Sequence, residues 1–174
     1  EESALQLIAM KSDGGLRDAL SMFDRLVSMH EKSLTYQDVL LNLNILDYDH
    51  YFQILNAISG ENDSSLLLML DTILSKGFDL DIFLTGLSEH IRNLWMAKKE
   101  STLSLIEYAD DVKTKFVEQS KLLSDSTLLN LLQIISDCEV SLKTSRNRRL
   151  IVELALLKMC YVQRLITSSW TEME

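Results

Sequence analysis

DGGLRDALSMFDRL, residues Asp13 to Leu26, passes from two adjacent glycines straight into a helical apolar stripe, with an arginine at the crossing. Asp13 and the glycines read as a loop feeding a helix, and Asp18 falls in the first turn, where a carboxylate suits the helix dipole. Arg17 carries the opposite sign to the one that position favours. At helical spacing Leu16, Ala19, Leu20, Phe23, Leu26 and Val27 share one side, the expected core face. Arg17, Asp18, Ser21, Asp24 and Arg25 fall largely on the other. Arg17 is therefore expected to point away from the core, beside backbone N–H groups that have no helical partner. Two readings follow. In one, Arg17 is an exposed arginine paired with Asp13 or Asp24. In the other, free N–H groups and a guanidinium together hold a phosphate, since the dipole and charge-assisted bonds both favour an anion.

Composition sets the surroundings of this stretch. The chain has 174 residues, 47% of them hydrophobic and 25% charged, with five glycines and no proline. Without proline, long segments are free to continue as helices, and Leu-rich 3.6-periodic stretches fill most of the sequence. The expected fold class is all-α. A net charge of −9 argues against a surface that binds nucleic acid by neutralising phosphates, so any DNA role is expected to be indirect. Nothing at the start resembles a signal peptide, and the runs SLLLML and LIVELALLKM are too short or too interrupted to span a bilayer. A cytoplasmic protein with no membrane contact is expected. Cys138 and Cys160 stand apart from each other and from His30, His50 and His90, so no metal-ligand spacing is present and both cysteines read as core residues.

Along the chain, Glu2 to Lys11 reads as a first helix stopped by Ser12 to Gly15. A second runs from Leu16 to about Met29, and a third from Thr35, a plausible N-cap, to Leu43. Together they make a unit spanning 1–46, small for burying an adequate core alone. A second unit, 47–174, begins at Asp47, which can cap a helix ending around Gly60. Asn62 or Asp63 opens the next helix, and Gly77 closes it in the left-handed conformation. Asp79 opens a longer helix with Ile82, Phe83, Leu87, Ile91, Leu94 and Trp95 on its stripe. Gly86 inside it costs about 1 kcal/mol against alanine and marks a place where another helix approaches the backbone. Residues 101–123 read as one short and one medium helix. Ser124 or Asp125 caps the next, and Asn147 begins the last.

That last helix is apolar nearly all round: from Leu150 to Leu157 only Glu153 is polar. Either it is the central helix of the second unit, or a neighbouring subunit covers part of its girth. Charge is uneven too. Residues 47–111 hold 12 acids against 4 bases, a balance of −8, while residues 144–174 hold 5 bases against 3 acids, a balance of +2. Head-to-tail contacts between copies could exploit that asymmetry, unless both are simply solvated faces.

GGLRDALSMFDRL resembles the sensor 2 region of the AAA+ clamp-loader ATPases, a family that includes the gamma/tau subunits of bacterial DNA polymerase III. Three further stretches agree in order. EESALQLIAMKSDG resembles the helix before the family's sensor 2 glycine, VLLNLNILDYDHYFQILNAI its passage from lid to collar, and NRRLIVELALLKM its last collar helix. In one departure, Gly15 stands where the family often has serine; a hydroxyl cap is lost, but the loop stays sterically free.

The resemblance implies that residues 1–46 form a small three-helix AAA+ lid and residues 47–174 a helical-bundle collar through which subunits join. The phosphate loop, the acidic strand and the zinc module of the family lie upstream of the matching region, and none is found here. The chain is thus expected to be a piece of a longer ATPase subunit, with no catalytic residue of its own, inactive alone, and with ATP and Mg²⁺ bound only in the full-length protein. By position, Arg17 is the arginine that reaches the γ-phosphate, and Leu16 packs near the nucleotide. Leu156 and Leu157 are the candidate interface residues of the last helix. The implied partners are other gamma/tau copies and the delta and delta-prime subunits through the collar, with the sliding clamp and primed DNA met through the missing domains. A non-enzymatic helical adaptor would also suit the all-α pattern, though it gives no reason for GGLRDAL. Another AAA+ replication ATPase would share the arginine but not obviously the RLIVELALLKM ending.

Overall fold

Ten helices and no strand organise the residues that the computed structural model describes, namely 1–12, 15–29, 33–43 and 45–164. The all-α expectation is met. Asp13 and Gly14, His30, and Leu165 and Ile166 at the predicted end of the last helix lie outside the described residues. The helices cluster into two compact units, Glu1–Asp47 and Tyr48–Glu174.

The first unit contains α1 (Glu2–Lys11), α2 (Leu16–Ser28) and α3 (Tyr36–Asn42). Thr35 and Asp38 close a reciprocal cap at the start of α3: the Thr35 N–H donates to Asp38 Oδ2 (2.9 Å) and the Asp38 N–H to Thr35 Oγ1 (3.2 Å). α1 packs on both α2 and α3. Ala4, Leu7 and Ile8 of α1, Leu26 of α2, and Leu34, Val39 and Leu40 form the buried core, with Ala19, Met22 and Phe23 packed at its edge. α2 thus sends a single residue into full burial.

The second unit contains α4 (Tyr48–Ser59), α5 (Asp63–Ser75), α6 (Leu80–Ala97), α7 (Glu100–Leu103), α8 (Asp110–Ser120), α9 (Asp125–Leu142) and α10 (Arg148–Cys160). Local chemistry accounts for many of the boundaries. Asn62, Ser124 and Asn147 each accept a hydrogen bond from the backbone N–H three residues on, satisfying donors that the helix leaves orphaned. Gly77 follows α5 at φ +88°, a conformation that only a residue without Cβ adopts freely.

α6 is the centre of this unit. It packs against α4, α7, α8, α9 and α10, and buries Phe83, Leu84, Leu87, His90, Ile91, Asn93, Leu94 and Ala97. α10, read from the sequence as a candidate central helix, packs on α4, α5, α6 and α9 but is not enclosed: Leu150 and Leu154 are each 45% exposed. Gly86 is explained by the side chain of Tyr51 on α4. A Cβ at position 86 would stand 2.0 Å from the Tyr51 hydroxyl, so the phenol occupies the space that any other residue would need.

Candidate functional site

The start of α2 has few local restraints. Gly15 is its N-cap, with extended backbone and no side-chain hydrogen bond to the first turn. The helix geometry leaves the first N–H groups without intrahelical partners, and among the described residues no side chain substitutes for them. A Cβ on Gly15 would stand 3.1 Å from both Asp18 Oδ2 and the Ser12 carbonyl oxygen, so the glycine makes room for the Asp18 carboxylate. Arg17 is exposed, and among the described residues no carboxylate pairs with it. That excludes Asp24 as its partner, while Asp13 is outside the described residues.

The expected core stripe of α2 splits in two. Leu26 is fully buried and Ala19, Met22 and Phe23 lean on the core, but Leu16 is 75% exposed, Leu20 53% and Val27 42%. Only half of the stripe faces the core, because α1 covers one flank of α2 and leaves the adjacent flank open. At about 100° per residue, Leu16, Leu20 and Val27 align within a narrow strip, and Asp24 and Arg17 come next round the helix. Leu16 is therefore on a surface, beside Arg17.

In the second unit the outward face of α10 offers another strip. Leu156 is 1% exposed and belongs to the core, so of the two interface leucines marked in the sequence only Leu157, half-buried, reaches the surface. Leu150 and Leu154 lie on the same side as Leu157 and are more open, a pair that the sequence reading missed although their spacing of four marks one face. α5 runs antiparallel to α10: Asp63 meets Tyr161 at one end and Asp71 meets Arg149 at the other. Leu68 on α5 is also exposed, at 69%. Both arginines that open α10 are tied down. Arg148 pairs with Asp81 (2.5 Å), and Arg149 with Asp71 (2.9 Å) and Glu153 (2.7 Å).

The second unit also holds a buried polar centre, for which the sequence had one unused signal: His90 shares the helical register of Leu87, Ile91 and Leu94. Gln119 Nε2 donates to the Phe52 carbonyl and to Asn56 Oδ1, both at 2.8 Å. Because a carbonyl only accepts, the amide orientation is set, and Gln119 Oε1 accepts from His90 Nε2 at 2.9 Å. Phe52 and Phe116 pack against the imidazole at 4.5 and 4.8 Å between centroids. Burial holds the His90 pKa down to about 4, against a smaller opposing effect of the Gln119 bond. The residue is a neutral brace between α4, α6 and α8. Among the described residues no cluster of His, Cys, Asp and Glu could hold a metal ion, and no helix is long and apolar enough to cross a membrane.

Comparison with known proteins agrees with this helical arrangement. Residues 34–170 match the family model for domain III of the DNA polymerase III gamma and tau subunits. DNA polymerase III subunit tau of Bacillus subtilis is 26% identical over 160 residues, covering 92% of this chain and 28% of that protein. The tau/gamma subunit of Haemophilus influenzae is 25% identical over 158 residues, covering 91% of this chain and 22% of that protein. The chain thus spans about a quarter of the length of these relatives. Among solved structures, the Bacillus subtilis DNA clamp loader delta protein superposes with a TM-score of 0.58 at 16% identity, over 88% of this chain and 48% of that one, which establishes a shared fold. With the family model spanning α3 and the whole helical bundle from α4 to α10, the chain belongs to the family of DNA polymerase III gamma and tau subunits, as a carrier of their domain III.

Proposed function

We propose that the chain is the lid and collar of a clamp-loader ATPase subunit: unit 1 senses ATP held by a domain outside this chain, and unit 2 joins the subunit to its neighbours in the ring. The observation that carries this reading is the start of α2, where a glycine N-cap without a side chain, an arginine without a carboxylate partner among the described residues, and the open strip of Leu16, Leu20 and Val27 coincide. The strip supplies apolar area for a nucleotide-holding domain to cover, and Arg17 beside it supplies a charge-assisted contact to a γ-phosphate. ATP and its Mg²⁺ sit in that other domain. Unit 1 has no phosphate loop, so Arg17 alone contributes too little to hold a nucleotide, and the isolated chain neither binds nor hydrolyses ATP. Loss of the γ-phosphate releases the lid and turns hydrolysis into a domain rotation. Unit 2 meets other gamma/tau copies and the delta and delta-prime subunits, with Leu68, Leu150, Leu154 and Leu157 as the joining face. The assembly places the sliding clamp on primed DNA in the cytoplasm.

Arg17→Ala in the longer protein, with its ATPase domain present, tests the reading. ATP-dependent closure should weaken by about 1.5 to 3 kcal/mol, roughly tenfold to a hundredfold, because one charge-assisted contact is lost. ADP affinity should stay as it was, and Arg17→Lys should recover only part of the loss, since lysine lacks the planar fork. Equal losses for ATP and ADP, or normal clamp loading, would refute the sensing role.

A further inference from the structure

The turn between α4 and α5 is built on a residue type that it does not favour. Glu61 has φ +51°, the one positive φ of a non-glycine among the described residues. Its N–H donates to the Ile58 carbonyl (3.1 Å), and the next N–H, of Asn62, reaches back to Ala57 (2.9 Å). This is the closing pattern of a helix whose left-handed position usually goes to glycine or asparagine. Gly60 and Asn62 flank the position and neither takes it. Any side chain there is strained, so the choice of glutamate calls for a use of its carboxylate.

The use is at the other end of the unit. The Glu61 carboxylate pairs with the Arg164 guanidinium, just beyond the end of α10. Arg164 in turn lies 5.5 Å from the centroid of the Tyr161 ring. The Tyr161 hydroxyl donates to Asp63 Oδ2 at 2.7 Å, on the first residue of α5. Four side chains therefore close a circuit between the α4–α5 turn and the last turn of α10, across about a hundred residues of sequence.

We propose that Glu61 occupies its left-handed position in order to latch the C-terminal end of α10 onto the α4–α5 turn. The latch acts on the turn that follows Leu157 and Lys158, and so keeps the outward strip of α10 from fraying at that end. That consequence for the strip rests on the joining role proposed above, but the latch itself is read on the helix, and a failure of the joining role leaves its test intact.

Amide hydrogen exchange of the full chain decides the matter, with Glu61→Gly and Tyr161→Phe as the variants. Glycine relieves the strained φ while removing the carboxylate, so a folded protein is expected. With the latch, Glu61→Gly speeds exchange at Met159 to Arg164 by about fivefold or more while the amides of α6 hold their rates. Tyr161→Phe keeps the ring and drops one hydrogen bond, and speeds the same amides to a smaller degree. If Glu61→Gly slows those amides or leaves them unchanged, the turn merely tolerates a glutamate and the latch is wrong.

Discussion

α2 and α10 both carry arginine in the first turn, at the end of a helix where the dipole disfavours a cation, and the two units treat that arginine differently. In the second unit Asn147 caps α10 with its side chain, and Asp81, Asp71 and Glu153 surround Arg148 and Arg149. The unfavourable charge becomes a set of ion pairs that fastens α10 to α5 and α6. In the first unit Gly15 supplies no side-chain cap, and no described carboxylate pairs with Arg17. The same residue type in the same register is neutralised in one place and, among the described residues, has no carboxylate partner in the other. An available cation beside free N–H groups is what an anion from elsewhere requires.

The strongest test of the contrast between buried and outward leucines is on α10. Leu156→Asp places an unpaired carboxylate in a site 1% exposed and should cost unit 2 at least ~4 kcal/mol, enough to unfold it by circular dichroism. Leu154→Asp, at 45% exposure, should leave the helical signal intact and act on assembly with partner subunits. If the two substitutions behave alike, the assignment of faces is wrong.

Acid separates the units next. An unfolded imidazole titrates near 6.5, whereas His90 in the folded unit titrates at about 4. Above pH 6.5 both states are neutral and the stability is complete. As pH falls from 6.5 towards 4, the unfolded chain takes up a proton that the folded unit refuses, so unit 2 should lose up to ~3 kcal/mol across that window. Urea melts at pH 7 and pH 4.5 measure the loss, and His90→Gln should flatten this part of the pH dependence.

Smaller effects sharpen the comparison of the two helix starts. Asn147→Ala removes a working cap and should lower unit 2 stability by about 1 kcal/mol in urea. Arg17→Ala should shift stability by less than ~0.5 kcal/mol, since an exposed arginine without a described partner buries little. Arg148→Ala and Arg149→Ala should each reduce stability slightly, by an amount that shrinks as salt rises, because their pairs are exposed. A stability loss for Arg17→Ala as salt-sensitive as those would mean that Arg17 too is held by an ion pair.

Much of this molecule is local in origin. An absence of proline, leucine at a 3.6-residue period, and side chains such as Thr35, Asn62, Ser124 and Asn147 define where helices run, because capping and amphipathicity act over three or four residues that the sequence places side by side. Arg17 was legible for the same reason, as the wrong charge in the first turn of a helix. What could not be read along the chain depended on which neighbour covers which flank. Leu16, Leu20 and Leu26 belong to one apolar stripe, yet only Leu26 is enclosed, since the width of a stripe says nothing of how much of it the neighbouring α1 can cover. Leu154 and Leu156 differ by two positions, about 200° of helix rotation, and whether each is surface or core was decided by α4, α5, α6 and α9 packing on one side of α10. Gly86 and Tyr51, or Glu61 and Arg164, meet only after the helices between them have folded back, and no local pattern records such a meeting. The sequence alone therefore determined the helices, their ends and the exposed arginine, whose causes lie within one turn of chain; the tertiary structure decided which apolar faces remain open and what holds them in place, because burial belongs to pairs of elements and not to either one.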